Sequence, residues 1–156
     1  MTQSRTEPST ETVARNKRAR FEYHLLETWE AGLVLTGTEV KSLRNGKANI
    51  TDAYGMVRDG EVFLLNAHIA PYDSAGYVNH EATRTRKLLL HQREIKRLIG
   101  AVERQGLTLV PLELYFKNGK AKIRIALAKG KQLHDKRDDA RSRDAERDIA
   151  REFRKR

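Results

Sequence analysis

Residues 108–128 read TLVPLELYFKNGKAKIRIALA. Thr108 to Phe116 and Lys120 to Ala128 are two apolar-rich runs with Asn118-Gly119 between them. Asn-Gly in that setting marks a tight hairpin, because both central residues must adopt positive φ. In the second run Ile123, Ile125 and Leu127 point to one side, and Lys122, Arg124 and Ala126 to the other. One face is a core face. The other carries two cations and suits water or RNA. The same chemistry recurs upstream, where Ile50 to Arg58 and Glu61 to Ile69 flank Asp59-Gly60. Phe21 to Thr28, Gly32 to Leu35 and Lys87 to Leu90 add shorter strand candidates. Two helices interrupt them. Thr38 to Arg44 is short, with Thr38 as its cap and a stop at Asn45-Gly46. His91 to Gln105 is amphipathic through Ile95, Leu98, Ile99 and Val102, and Gly106 ends it. About six strands and two peripheral helices predict a mainly β fold, a small closed or nearly closed barrel of OB-like type. Tyr72 to Thr83 reads as an exposed loop.

The chain has 156 residues, room for one such domain. Mean hydropathy is −0.71, and no run approaches the ~18 apolar residues of a membrane span. The first residues lack the apolar core of a secretory signal, so a cytoplasmic protein is expected. There is no cysteine, which excludes disulfides and thiol chemistry. The net charge is +10, from 31 basic and 21 acidic residues. A basic excess of this size points to a polyanionic partner, most commonly nucleic acid.

That excess is densest at the two ends. Residues 1–20 carry net +3, and residues 130–156 carry ten basic against seven acidic side chains. Residues 1–13 are rich in Ser, Thr and Glu and predict a disordered N-terminal segment. Residues 14–130 form the barrel, and residues 131–156 a basic tail. Its only apolar stripe is Ala145, Ile149 and Phe153, too narrow to fold alone. The composition fits a tail disordered by itself and helical on a polyanion; the alternative is a solvated helix lying on the domain.

Catalytic and metal signals are missing. No two of His24, His68, His80, His91 and His134 have ligand spacing, so no metal site and no cofactor is expected. Gly46-Lys47 is followed by Ala48 and has Lys41 where a phosphate loop needs glycine. There is no Gly-x-Ser-x-Gly elbow. An enzyme is not expected.

A set of segments in fixed order carries more information. It comprises Asn16-Lys17-Arg18-Ala19, Tyr23, Glu30-Ala31-Gly32, Gly37 to Arg44, Gly46-Lys47-Ala48 and Asp52-Ala53-Tyr54. Arg86 to Leu90, Tyr115 with Gly119, Ala128 to Lys131 and His134-Asp135-Lys136-Arg137 complete it. From about Ala14 to the C-terminus the chain resembles the SmpB family of bacterial SsrA-binding proteins. EAGLVLTGTEVKSLR and AKGKQLHDKR are its most specific pieces.

The resemblance implies an OB-like barrel with peripheral helices and a C-terminal tail. It implies binding of tmRNA (SsrA RNA) through its tRNA-like domain, and delivery of that RNA to stalled 70S ribosomes for trans-translation. The ribosome is thereby rescued and the incomplete protein tagged. Expected partners are tmRNA, the ribosome with its ribosomal RNA, and elongation factor Tu, with no membrane. By family position, Glu30, Leu89 and Lys122 are RNA contacts. Lys17, Arg18, Lys41, Arg44, Lys47 and Lys129 surround the same motifs and would track the phosphate backbone. In the tail, Gly130 would act as a hinge and His134 would stack on a base. Lys131, Asp135, Lys136 and Arg137 would act with them at the decoding site. A general single-stranded or ribosomal RNA-binding OB protein is the alternative reading.

Overall fold

A computed structural model describes residues 10–72 and 79–131. Nine strands and three helices follow in the order β1 (Thr10–Arg15), α1 (Ala19–Glu22), β2 (Tyr23–Leu33), α2 (Gly37–Arg44), β3 (Ala48–Asn49), β4 (Tyr54–Arg58), β5 (Glu61–Leu65), β6 (His68–Ile69), β7 (Arg86–Leu89), α3 (Gln92–Gln105), β8 (Thr108–Lys117) and β9 (Lys120–Gly130). The main sheet runs β1-β8-β4-β5-β7-β2-β9, and β9 pairs back onto β8. That last pairing closes an antiparallel barrel of β2, β9, β8, β4, β5 and β7, with β1 as a strand added outside it. β3 and β6 form a separate two-stranded ribbon.

Both hairpins turn as their sequences require: Asp59 and Gly60 have φ of 52° and 74°, Asn118 and Gly119 of 51° and 77°. Ile123, Ile125 and Leu127 are buried in the barrel with Leu88, Leu64, Leu109 and Leu114. The barrel closes tightly between β4 and β8, where Gly55 lies opposite Leu109. A Cβ on Gly55 would fall 2.5 Å from the Leu109 Cβ, so only glycine fits there. α3 covers one end, burying Leu98 and Ala101 and contacting β4 and β9. Gly106 ends it in the left-handed conformation, with φ of 66°.

Several boundaries differ from expectation. Thr10 to Val13 belong to β1, not to a disordered segment: Thr10, Glu11 and Thr12 pair with Lys117, Phe116 and Tyr115 of β8, and Val13 lies at the irregularity before Ala14. Phe21 and Glu22 lie in α1, and the two strand candidates at 21–28 and 32–35 are one continuous strand, β2. The runs at 50–58 and 61–69 are each broken, since the chain turns at residues 50–53 and again around Asn66, whose φ is 59°. Thr38 is not the cap of α2. Thr36 is, in a reciprocal capping box with Glu39. In the 72–83 loop Asn79, Glu81 and Thr83 are exposed as expected, and among its described residues only His80 is buried. His80 is buried, with Nε2 2.9 Å from the Ile69 carbonyl and Nδ1 2.9 Å from the Thr38 hydroxyl. A carbonyl only accepts, so Nε2 donates to Ile69.

Glu39 has a second task. Its carboxylate is fully buried and bonded to Arg86, itself fully buried, and to Arg84 at 2.6 Å. Arg86 also donates to the carbonyls of Ala67 (2.7 Å) and Ala82 (3.1 Å). One ion pair thus joins α2, β7 and the corner before β6. Burial alone would raise the Glu39 pKa. Hydrogen bonds from Arg84, the Thr36 amide and Arg86 outweigh it and hold the pKa at about 2, against an ordinary 4.5.

Glu39→Gln should leave Arg86 buried without its counter-charge and cost about 3–5 kcal/mol, measured by urea denaturation. A depressed carboxyl pKa means that the unfolded chain binds the proton first. Glu39's contribution is therefore complete above pH 4.5 and is lost as pH falls toward 2. The variant should lack that component of the acid-induced loss.

Candidate nucleic-acid interface

The interface starts from cross-strand register. On the outer face of the barrel, Leu89 of β7 lies opposite Gly32 of β2, Gly32 opposite Lys122 of β9, and Lys122 opposite Tyr115 of β8. One step along, Glu30 lies opposite Arg124, Arg124 opposite Glu113, and Glu113 opposite Arg15. Strand alternation puts these rows on one face, away from Ala31, Ile123 and Leu114 of the core.

Gly32 keeps the first row low. A Cβ there would lie 3.3 Å from the Leu89 Cβ and 3.7 Å from the Lys122 ammonium. The result is a notch of about 390 Å³ lined by Gly32, Leu33, Leu35, Leu89, Phe116 and Lys122, among others. Its floor is apolar, and Lys120 and Lys122 stand at its rim. Arg44 of α2 places its guanidinium 5.3 Å from the centre of the Phe116 ring. Leu89 is 52% exposed, so it is not the core leucine its neighbours would suggest.

The second row holds an ionised acid in a basic setting. The Tyr115 hydroxyl donates to Glu30 Oε2 at 2.5 Å, and the Lys117 ammonium lies 3.3 Å from Oε1. The Tyr115 bond is the largest influence holding the Glu30 pKa below its ordinary value; burial opposes it as the next largest, and Lys117 and Lys122 add smaller lowering effects. Burial and the bond to Glu30 push the Tyr115 phenol up to about 12. Glu30 is therefore a fixed acceptor for base amino groups or 2′-hydroxyls. Arg124 lies 5.5 Å from the Tyr115 ring centre and 3.4 Å from Glu113, which also accepts from Thr12 at 2.6 Å.

The structure thus brings Glu30, Leu89, Lys122 and Arg44 together. Lys129, opposite His24, alternates to the other face of β9, whereas Lys17 lines a cleft with Arg124 farther along the same face. There Asn16 anchors the turn by donating from its backbone to the Leu112 carbonyl (2.9 Å) and from its side chain to the Pro111 carbonyl (3.0 Å). Ala19 is buried beneath, while Lys17 and Arg18 are exposed. In Asn16-Lys17-Arg18-Ala19, the outer residues hold the fold and the inner pair faces out. Lys41 and Lys47 belong to neither group. Lys41 lies 5.5 Å from the Tyr72 ring centre, and Lys47 accepts from the Ala70 amide through its carbonyl. Gly130 does not form a free joint: it ends β9 opposite Tyr23, and the next amide, Lys131, donates to the Glu22 carbonyl at 2.9 Å. His134, Asp135, Lys136 and Arg137 lie outside the described residues.

Tyr115 and Lys117 join the site unforeseen as contacts, beside Arg124 of the cationic face. Only cross-strand pairing shows that Tyr115 aims at Glu30, 85 residues away in sequence.

Residues 13–155 match the family model of the SmpB protein. The chain belongs to the SmpB family. Among its SmpB-family relatives, the SsrA-binding protein of Trichormus variabilis is 58% identical over 92% of this chain and 93% of the relative. That of Geobacillus thermodenitrificans is 56% identical over 92% and 93%. A solved chain described as "tmRNA-SmpB: a journey to the center of the bacterial ribosome" superposes with a TM-score of 0.64 at 52% identity, over 76% of this chain and 84% of that one.

Tyr115→Phe should release Glu30 toward its ordinary pKa, read by NMR titration of the carboxylate, and weaken RNA binding several-fold without unfolding the barrel. An unmoved Glu30 titration would show that the phenol does not hold it.

Proposed function

We propose that the chain is an RNA-binding protein that binds tmRNA and delivers it to stalled ribosomes in trans-translation. The observation that carries this is the row Leu89, Gly32, Lys122 and Tyr115 with Glu30 beside it, in a chain that matches the SmpB family from residue 13 to residue 155. In this reading an unpaired base enters the apolar notch against Leu89. Lys122, Lys120 and Arg44 take the phosphates, and Glu30 reads a base edge or a ribose hydroxyl. The role asks for binding and positioning, not for bond chemistry.

Lys17 and Arg18 extend the cationic track, and Lys129, on the other face of β9, adds a cation near the point where the tail leaves. Lys131, His134, Asp135, Lys136 and Arg137 then act at the decoding site, His134 by stacking and its neighbours on phosphate. tmRNA arrives together with elongation factor Tu, and the work is done in the cytoplasm. Among the described residues, no helix is long and apolar enough to cross a membrane.

Lys122→Ala should weaken tmRNA binding and flatten its salt dependence by about 0.7–0.9 in the slope of log affinity against log salt. An unchanged slope would remove Lys122 from the interface. Truncation before Lys131 should leave tmRNA binding nearly intact and abolish tagging of stalled chains. A truncated protein that tags at the normal rate would contradict the tail's role.

A further inference from the structure

One wall of the notch is not a strand. Leu35, which lines it, sits in the irregular stretch Val34-Leu35-Thr36 between β2 and α2. Such a stretch has no ladder of its own, so its backbone groups need partners elsewhere. Val34 is still tied to β7, its amide donating to the Lys87 carbonyl at 3.1 Å. Beyond that point, side chains hold the two peptide units that flank Leu35. The Val34 carbonyl accepts from Arg84 Nη2 at 3.2 Å, and the Thr36 amide donates to Glu39 Oε1 at 2.9 Å. Arg84 Nη2 also donates to that same Oε1, at 2.6 Å. One guanidinium nitrogen and one carboxylate oxygen thus bracket Leu35 from both sides.

Arg84 differs from Arg86, its neighbour on the same carboxylate. Arg86 is fully buried and bonded to Glu39 and to the carbonyls of Ala67 and Ala82, so it serves the fold. The Arg84 side chain is 35% exposed. An arginine at such a site can swing its head out into water. This one stays, although its Nε is buried with no hydrogen-bond partner. The bonds to the Val34 carbonyl and to Glu39 offset that cost. Glu39 also completes the cap of α2 at Thr36, and α2 carries Val40 of the notch wall and Arg44 beside the Phe116 ring.

We propose that Arg84 is a positioning residue for RNA binding: it sets Leu35, and with it the α2 side of the notch, and does not itself touch the RNA. The proposal rests on the RNA-binding reading above. The Arg84 guanidinium is committed to the Val34 and Thr85 carbonyls and to Glu39, so it contributes nothing to the counterion release that phosphate contacts produce. It acts on shape. A loosened wall no longer closes the apolar floor around a base, and the loss falls on affinity without changing its salt dependence.

The test measures binding of full-length tmRNA to the full chain against salt. It compares Arg84→Met, Leu35→Ala, the double variant and Lys122→Ala, each first shown by its melting curve to be folded at the working temperature. Arg84→Met should weaken binding about 10-fold, within the range of couplings between residues of one network, and keep the wild-type salt slope. Leu35→Ala should weaken it comparably. The two losses should not add in the double variant, because Arg84 acts through Leu35; a general loosening of the fold would give losses that add. Should Arg84→Met fail to fold, the same cycle is run with Arg84→Lys, which keeps a cation beside Glu39 and gives up the planar fork. Wild-type affinity in the Arg84 variant, losses that add, or a slope flattened by about 0.7–0.9 as for a phosphate contact would each overturn the positioning role. Lys122→Ala impaired in the same series would then leave the notch standing. A wild-type chain that does not bind tmRNA would overturn both.

Discussion

The β2–β9 ladder holds the rest of the molecule in place. It runs antiparallel from Tyr23 opposite Gly130 to Gly32 opposite Lys122. β9 also pairs along β8, and with β9 paired on both sides the sheet closes into a barrel. Its register decides which side chains face out. A shift by one residue would bury Lys122 and Arg124 and expose Ile123 and Ile125. The ladder carries one irregularity, between Leu25 and Glu27, and there Leu26 is left exposed. Beyond it Glu27 faces α3, where Arg97 donates to its carboxylate at 2.7 Å. The two ends of the ladder are the two ends of the proposed RNA track: the Gly32–Lys122 notch at one, and the departure of the tail after Lys131 at the other.

Two carboxylates show how one residue type serves fold and surface differently. Glu39 is sealed between α2 and β7, pairs with Arg86 and Arg84, and is fully buried out of reach of a ligand. Glu30 stands on the surface with one oxygen bound by a phenol and the other beside Lys117. It remains charged amid cations that attract phosphate. A purely basic face would grip any nucleic acid through counterion release. An acid fixed among the bases penalises a phosphate placed on it and rewards a donor, and so helps to set register on the RNA.

Much of this was legible before the structure. Asn118-Gly119 and Asp59-Gly60 fixed two hairpins, because their positive φ values are a local steric matter. The alternation from Lys122 to Leu127 separated the faces of β9. The periodicity of Ile95, Leu98 and Val102 located α3. Errors arose where non-local pairing overrules local composition. Thr10 to Val13 look disordered alone and become a strand because the free edge of β8 accepts them. Glu30-Ala31 looks like an interruption but continues the strand, because both residues pair with β9, opposite Arg124 and Ile123. Thr38 looked like the cap, although Thr36, two residues earlier, is the one whose amide Glu39 can reach. In the site, Glu30, Leu89 and Lys122 were placed by family resemblance, not by physics. Burial statistics favour a core leucine at a position like 89, and only its outward place on β7 explains the difference. Tyr115 and Arg124 act through partners brought close by pairing, which single-residue reasoning does not reveal. Lys41 and Lys47 are not among the residues that line the notch, and Lys41 lies by the Tyr72 ring.

The central claim is that this face selects one RNA. The most direct measurement is to purify the full-length protein from its own cells at moderate salt and to sequence the RNA that accompanies it. One dominant RNA, with a tRNA-like end and an internal reading frame, is the expected result. A broad mixture of ribosomal and transfer RNAs, with no such species enriched, would contradict it and leave a general RNA-binding barrel in its place.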